Sequence, residues 1–147
     1  MQAKGITRAI SSVEEMFLFG AETALLASSN MVLALKGDLG SGKTTFLKGF
    51  ISALTKTDPH QIQSPTFTYL QIYEGDLSVY HFDLYRLEHY EQFVSAGFAD
   101  YLSAGGICCL EWAERIEAYL PEGTLFLELA YLGELSRQAT LYQRAIL

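Results

Sequence analysis

The chain has 147 residues, half of them hydrophobic and 18% charged, with a formal net charge of −7. That length and apolar content fit one domain with a sizeable core, and nine Phe with nine Tyr argue against disorder. No apolar run approaches a membrane span, Met1-Gln2-Ala3-Lys4-Gly5 lacks a signal-peptide core, and a cytoplasmic location is the default expectation.

Ser12-Val13-Glu14-Glu15 matches a capping box and predicts a helix to about Ala27, with Met16, Phe17, Phe19, Gly20, Ala24 and Leu25 on its buried face. A buried strand is expected over 31–36, followed by a glycine loop and a helix over 43–54. Phe46, Leu47, Phe50, Ile51 and Leu54 recur there at helical spacing. The polar stretch 55–66, with Pro59 and Pro65, reads as loop. Strands are expected over 67–73 and 77–83 around a turn at Glu74-Gly75-Asp76. Residues 88–102 read as mainly helical with Gly97 as an interruption. A short strand over 106–111 and a short helix over 113–119 follow, broken by Pro121-Glu122-Gly123. Two further strands, 124–131 and 139–146, join near Gly133-Glu134. The order predicts a single α/β domain over 1–147, with a P-loop NTPase-type sheet of mixed parallel and antiparallel strands flanked by helices. The central hairpin argues against a wholly parallel sheet.

Gly37-Asp38-Leu39-Gly40-Ser41-Gly42-Lys43-Thr44 fits the P-loop pattern at every fixed position, between a strand and a helix. Its glycines permit backbone conformations that let N–H groups curl around phosphate oxygens. The helix after it adds unpaired N–H groups and a positive dipole end. Nucleotide contacts are therefore expected from Asp38, Leu39, Gly40, Ser41, Gly42, Lys43, Thr44 and Thr45. Lys43 supplies a point charge to the β- and γ-phosphates, and the Thr44 hydroxyl is the usual Mg²⁺ ligand. The bland alternative is a glycine-rich turn that happens to contain Lys.

Two predicted strands end in an acid, Ile107-Cys108-Cys109-Leu110-Glu111 and Val79-Tyr80-His81-Phe82-Asp83. Either fits the metal partner or water-positioning group that a P-loop needs, and either could instead cap a helix or end a solvated strand. Ser64-Pro65-Thr66, taken alone, is a common turn. His81 reads as a hydrogen-bonded structural residue, and Trp112 as a packing or docking residue. Arg86 and Arg115 are left between balancing carboxylates and meeting phosphate. Cys108 and Cys109 should face opposite sides of their strand as small buried hydrophobes, which leaves no zinc site or disulfide framework. The guanine-reading N-K-x-D stretch is absent, which favours ATP.

Residues 1–57 hold six Lys/Arg and four Asp/Glu, whereas 58–147 hold four and thirteen. The acidic remainder argues against a broad nucleic-acid surface and suits solubility or a basic partner protein.

With these elements collected, the chain resembles the TsaE (YjeE) family, the bacterial P-loop ATPases of tRNA threonylcarbamoyladenosine biosynthesis. The resemblance runs from Ser11 to Arg137. It rests on Gly-Asp-Leu-Gly-Ser-Gly-Lys-Thr-Thr (37–45), Ser-Pro-Thr-Phe-Thr (64–68), His-Phe-Asp-Leu-Tyr-Arg-Leu (81–87) and Glu-Trp-Ala-Glu-Arg (111–115). The family usually has Pro where Ala113 stands. The resemblance implies that Lys43 and the loop bind phosphates, that Thr44 and Glu111 hold Mg²⁺, and that Asp83 supports hydrolysis near the γ-phosphate. It places Thr66 in a switch-like loop and an adenine contact on an Arg near the C-terminal hairpin, for which Arg137 is the nearest match. It also implies work with TsaD and TsaB on the adenosine next to the anticodon, with tRNA reached through the complex. There ATP binding and hydrolysis, slow in the isolated subunit, which is expected to be a monomer, reset the complex between turnovers.

Two other readings use the same P-loop. A small-molecule or nucleotide kinase would need an arginine-rich lid, and residues 88–105 contain no Lys or Arg. A non-catalytic module would use nucleotide only to stabilise its fold.

Overall fold

Strand pairing explains why some segments of this chain read as continuous apolar runs and others do not. The computed structural model describes residues 2–37, 40–65 and 68–144. Among these, the strands are β1 (Gln2–Ile10), β2 (Val32–Gly37), β3 (Leu70–Tyr73), β4 (Val79–Asp83), β5 (Ile107–Glu111), β6 (Leu125–Gly133) and β7 (Ser136–Arg144). They form one sheet in the order β1-β7-β6-β2-β5-β4-β3. The central strands β6, β2, β5 and β4 run parallel. Antiparallel pairs β3–β4, β6–β7 and β1–β7 complete the two sides. This is the mixed, helix-flanked P-loop sheet that the sequence predicts.

Val32–Leu35 and Ile107–Leu110 are buried throughout because both sheet faces are covered. On one face Leu33, Leu35 and Cys109 pack with Phe46 and Phe50. On the other, Ala34, Cys108 and Leu110 pack with Phe82 and Phe93. The adjacent cysteines therefore enter opposite cores as expected. Burial pushes the Cys108 thiol up to about 12 and that of Cys109 well above its ordinary value.

Helix α1 (Val13–Thr23) starts at Ser12, whose hydroxyl accepts the Glu15 N–H at 3.0 Å. The Glu15 carboxylate returns to the Ser11 N–H at 2.8 Å, one residue earlier than a standard capping box. The helix gives way to a 3₁₀ turn at Ala24–Leu26, and Leu25 is 86% exposed rather than buried. Helix α2 (Lys43–Thr55) buries Phe46, Leu47, Phe50 and Ile51. The two helices meet backbone to backbone. A Cβ on Gly20 would lie 2.0 Å from the Phe46 carbonyl oxygen, and one on Gly49 would lie 2.0 Å from that of Phe17.

Other boundaries move for local reasons. The segment expected to be helical over 88–102 is α3 (Tyr90–Ser95) and a 3₁₀ turn at Phe98–Ser103, parted by Gly97 at φ 81°. That left-handed conformation suits glycine and ends a helix. Ala113–Tyr119 is 3₁₀ rather than α, broken at Ile116 with φ −131°. Strand β7 begins at Ser136, earlier than the sequence suggests. Strand β1 has no counterpart in the sequence reading. Residues 5–9 are exposed and only Ile10 is buried, so the strand carries no alternation to detect.

Candidate nucleotide site

Parallel pairing sets three strand ends side by side. Leu35 of β2 is the register partner of Glu111, and Glu111 is the partner of Asp83. The chain leaves β2 through the glycine loop and enters α2 at Gly42, held left-handed at φ 110°. The first residues of α2, Lys43, Thr44 and Thr45, thus border the same cavity as the carboxylates on β4 and β5, at the helix end where N–H groups lack intrahelical partners.

These elements enclose a cavity of about 700 Å³ onto which Lys43, Thr44, Ser64, Asp83 and Glu111 open. Lys43, Asp83 and Glu111 are only 8%, 8% and 5% exposed. Charges so removed from water need partners. The Lys43 ammonium donates to the Gly37 carbonyl at 2.8 Å and lies 5.2 Å from the centre of the Trp112 ring. Asp83 accepts the Tyr85 N–H at 3.0 Å. Glu111 Oε2 accepts from Ser64 Oγ and from His81 Nε2, each at 2.7 Å. No hydrogen bond among the described residues reaches Glu111 Oε1.

The two carboxyls feel different surroundings. Burial raises the Asp83 pKa, and the nearby Glu111 charge adds to this. The Tyr85 N–H, His81 and Lys43 only partly offset it. Burial also works to raise the Glu111 pKa, but the His81 and Ser64 bonds and the Lys43 charge outweigh it and hold the group below its ordinary value.

The donor set suits Mg²⁺ joined to a nucleotide better than a metal held by protein alone. No group of three His, Cys, Asp or Glu placed to hold a metal ion by itself exists among the described residues. One carboxylate oxygen and the exposed Thr44 hydroxyl on the same cavity are what a hard ion needs when phosphates and water supply its remaining oxygens.

A second cleft of about 220 Å³ lies between the glycine loop and Ile10, Val13, Leu135 and Arg137. Gly40, Gly42 and Thr45 border both spaces, so the loop forms the wall between them. Ser41 is fully buried with its hydroxyl unpaired among the described residues. The Arg137 guanidinium stacks 4.1 Å above the Tyr131 ring and reaches the Gly40 carbonyl at 3.5 Å. It therefore borders the second cleft and not the larger cavity. Asp38, Leu39 and Thr66 lie outside the described residues.

Of the residues the sequence left open, Trp112 packs edge-on to Tyr85 with ring centres 4.8 Å apart. Arg115 lies over both rings, and Arg86 stacks 4.9 Å from the Tyr69 ring at the cavity wall. The grip of His81 and Ser64 on Glu111 was not foreseen. The available signal was the alternation of His81 with Asp83, which puts both on the face shared with Glu111.

Comparison with known proteins gives the family of the chain. The family model described as Threonylcarbamoyl adenosine biosynthesis protein TsaE matches residues 10–139. The chain is 37% identical over 129 residues to the tRNA threonylcarbamoyladenosine biosynthesis protein TsaE of Treponema pallidum, covering 88% of this chain and 94% of the relative. It is 40% identical over 128 residues to the TsaE of Bacillus subtilis, covering 86% and 78%. The crystal structure of Bacillus subtilis YdiB superposes with a TM-score of 0.80 at 33% identity, over 99% of this chain and 89% of that one. With the family model matched over residues 10–139, a shared fold and relatives aligned over most of both chains, the protein belongs to the TsaE family.

Proposed function

We propose that the protein is a Mg²⁺-dependent ATPase that serves threonylcarbamoyladenosine modification of tRNA, at the adenosine next to the anticodon. It would work in the cytoplasm with TsaD- and TsaB-like partners, using ATP binding and hydrolysis to reset their complex. The observation that carries this reading is the meeting of the Lys43 ammonium and the Glu111 and Asp83 carboxylates on one cavity at the N-terminus of α2.

Lys43 would exchange the Gly37 carbonyl for β- and γ-phosphate oxygens, and the candidates for the remaining nucleotide contacts run from Asp38 to Thr45. Thr44 and Glu111 would hold the Mg²⁺, which when bound would neutralise charge on the phosphates. Asp83, its pKa raised by burial, orients the attacking water and takes up its proton. Thr66 contributes from the loop that follows Ser64. Arg137, beside the loop wall, meets the adenine end of the nucleotide.

The test is depletion of the protein in its host with threonylcarbamoyladenosine measured in bulk tRNA by mass spectrometry of nucleosides. The expected result is a fall that wild-type protein restores and Lys43→Ala protein does not. An unchanged level, after time for old tRNA to be diluted, overturns the tRNA role. Release of ADP from Mg·ATP by the purified protein, alone and with TsaD- and TsaB-like proteins, tests the hydrolytic part separately.

A further inference from the structure

The His81 side chain is 1% exposed, and its Nδ1 has no hydrogen-bond partner among the described residues. Among the described residues its ring makes one hydrogen bond, Nε2 to Glu111 Oε2 at 2.7 Å. A buried imidazole is expensive to place beside the apolar core of β4 and β5, and the pairing with Glu111 satisfies its Nε2 side. Ser64 reaches the same oxygen at 2.7 Å from an unrelated part of the chain. Two donors from two elements therefore converge on Oε2, and Oε1 is left without one among the described residues. A carboxylate rotates about its last bond, and two fixed donors on one oxygen remove that freedom.

We propose that His81 and Ser64 are positioning residues that lock the Glu111 carboxylate, saturating Oε2 so that Oε1 is presented to a divalent cation in the cavity. The inference rests on the reading of Glu111 as a metal ligand. Outer groups that orient a ligand carboxylate commonly change metal affinity or activity by about 10–100-fold. The Ser64 bond also fastens residues 64–65 to the strand end, so the loop and the carboxylate are set together.

The experiment is calorimetric titration of Mg²⁺ into the protein saturated with ADP, beside titration of ADP without metal. His81→Leu removes the donor and puts an apolar side chain of similar bulk in its place. It should weaken Mg²⁺ binding about 10-fold or more while leaving metal-free ADP binding within about twofold. His81→Gln, whose amide N–H can stand in for Nε2, should restore much of the loss. Ser64→Ala, in a half-buried loop position, should weaken Mg²⁺ binding less, and Ser64→Thr should preserve it. Ser64→Ala keeps the test available if His81→Leu does not fold. Wild-type Mg²⁺ affinity in Ser64→Ala and in folded His81→Leu overturns the proposal. So does a His81→Gln protein as impaired as His81→Leu. Glu111→Gln separates the two failures. If it binds Mg²⁺ poorly while His81→Leu binds normally, only the positioning role falls. If it too binds Mg²⁺ normally, the metal-ligand reading falls with it.

Discussion

Asp83 and Glu111 are register partners on neighbouring parallel strands, and their surroundings push their carboxyls in opposite directions. Glu111 is held below the ordinary 4.5 and Asp83 above the ordinary 3.8. Because Glu111 is depressed in the folded state, its contribution to stability is present above 4.5 and is lost as pH falls through its folded value. Asp83 has the opposite sign. Its contribution is full below 3.8 and is lost as pH rises through its higher folded value, so at neutral pH an ionised Asp83 works against the fold. Asp83→Asn should therefore melt above the wild type at pH 7, with the difference fading toward pH 4. Glu111→Gln should melt below it at pH 7 and converge as the solution is acidified. Thermal unfolding of both variants across that range checks the signs. The same Asp83→Asn protein, although more stable, should hydrolyse ATP about 100-fold more slowly.

Lys43 offers a second test of the site. Its ammonium rests on the Gly37 carbonyl, a contact that a phosphate oxygen must replace. Lys43→Ala should weaken ATP binding about 10–100-fold, the range for losing a charge-assisted hydrogen bond. The fold should survive, because no core contact depends on the ammonium. Calorimetric titration with ATP, paired with a melting curve, separates the two effects.

The glycine pair at the α1–α2 crossing gives a prediction about stability alone. Gly20→Ala and Gly49→Ala each drive a methyl group against a backbone carbonyl that cannot rotate away, so the helices must part. Each should cost about 1–3 kcal/mol, read as a lower urea midpoint with the slope of the transition unchanged. ATP affinity should fall little in the fraction that remains folded, since neither glycine borders the cavity.

What could be read in advance follows from where the physical signal lies. The glycine loop, the α2 face and the two acid-ended strands were legible because each is fixed by local pattern: loop chemistry, helical spacing and an apolar run closed by a carboxylate. Gly20 was placed on a buried face, yet nothing in the sequence marked Gly49 as its counterpart, because their reciprocity exists only once the helices cross. Strand β1 was hidden for a related reason. Its pairing with β7 is made by backbone hydrogen bonds that carry no side-chain signature. Leu25 failed as a core residue because α1 tightens into a 3₁₀ turn just before it and the helical face rotates. The grip of Ser64 and His81 on Glu111 joins residues 47 and 30 positions apart, which no local window contains.

Cys108 and Cys109 turn the same burial into a readout of nucleotide binding. Both are buried, with the Cys108 thiol pushed up to about 12 and Cys109 higher than its ordinary value. A thiol so shifted contributes stability that is full below its ordinary 9.0 and is lost as pH rises through the folded value. At pH 8 the folded protein should therefore not react with iodoacetamide, and alkylation should proceed only through unfolding. Nucleotide that binds the folded state alone slows that reaction by the factor 1 + [L]/Kd, about 100-fold at 100 times Kd. Wild-type protein should show this protection with ATP, and Lys43→Ala protein should need a correspondingly higher ATP concentration for the same protection. Mass spectrometry of carbamidomethyl groups over time supplies the measurement. Rapid alkylation of both thiols in native protein would contradict their placement on opposite buried faces of β5.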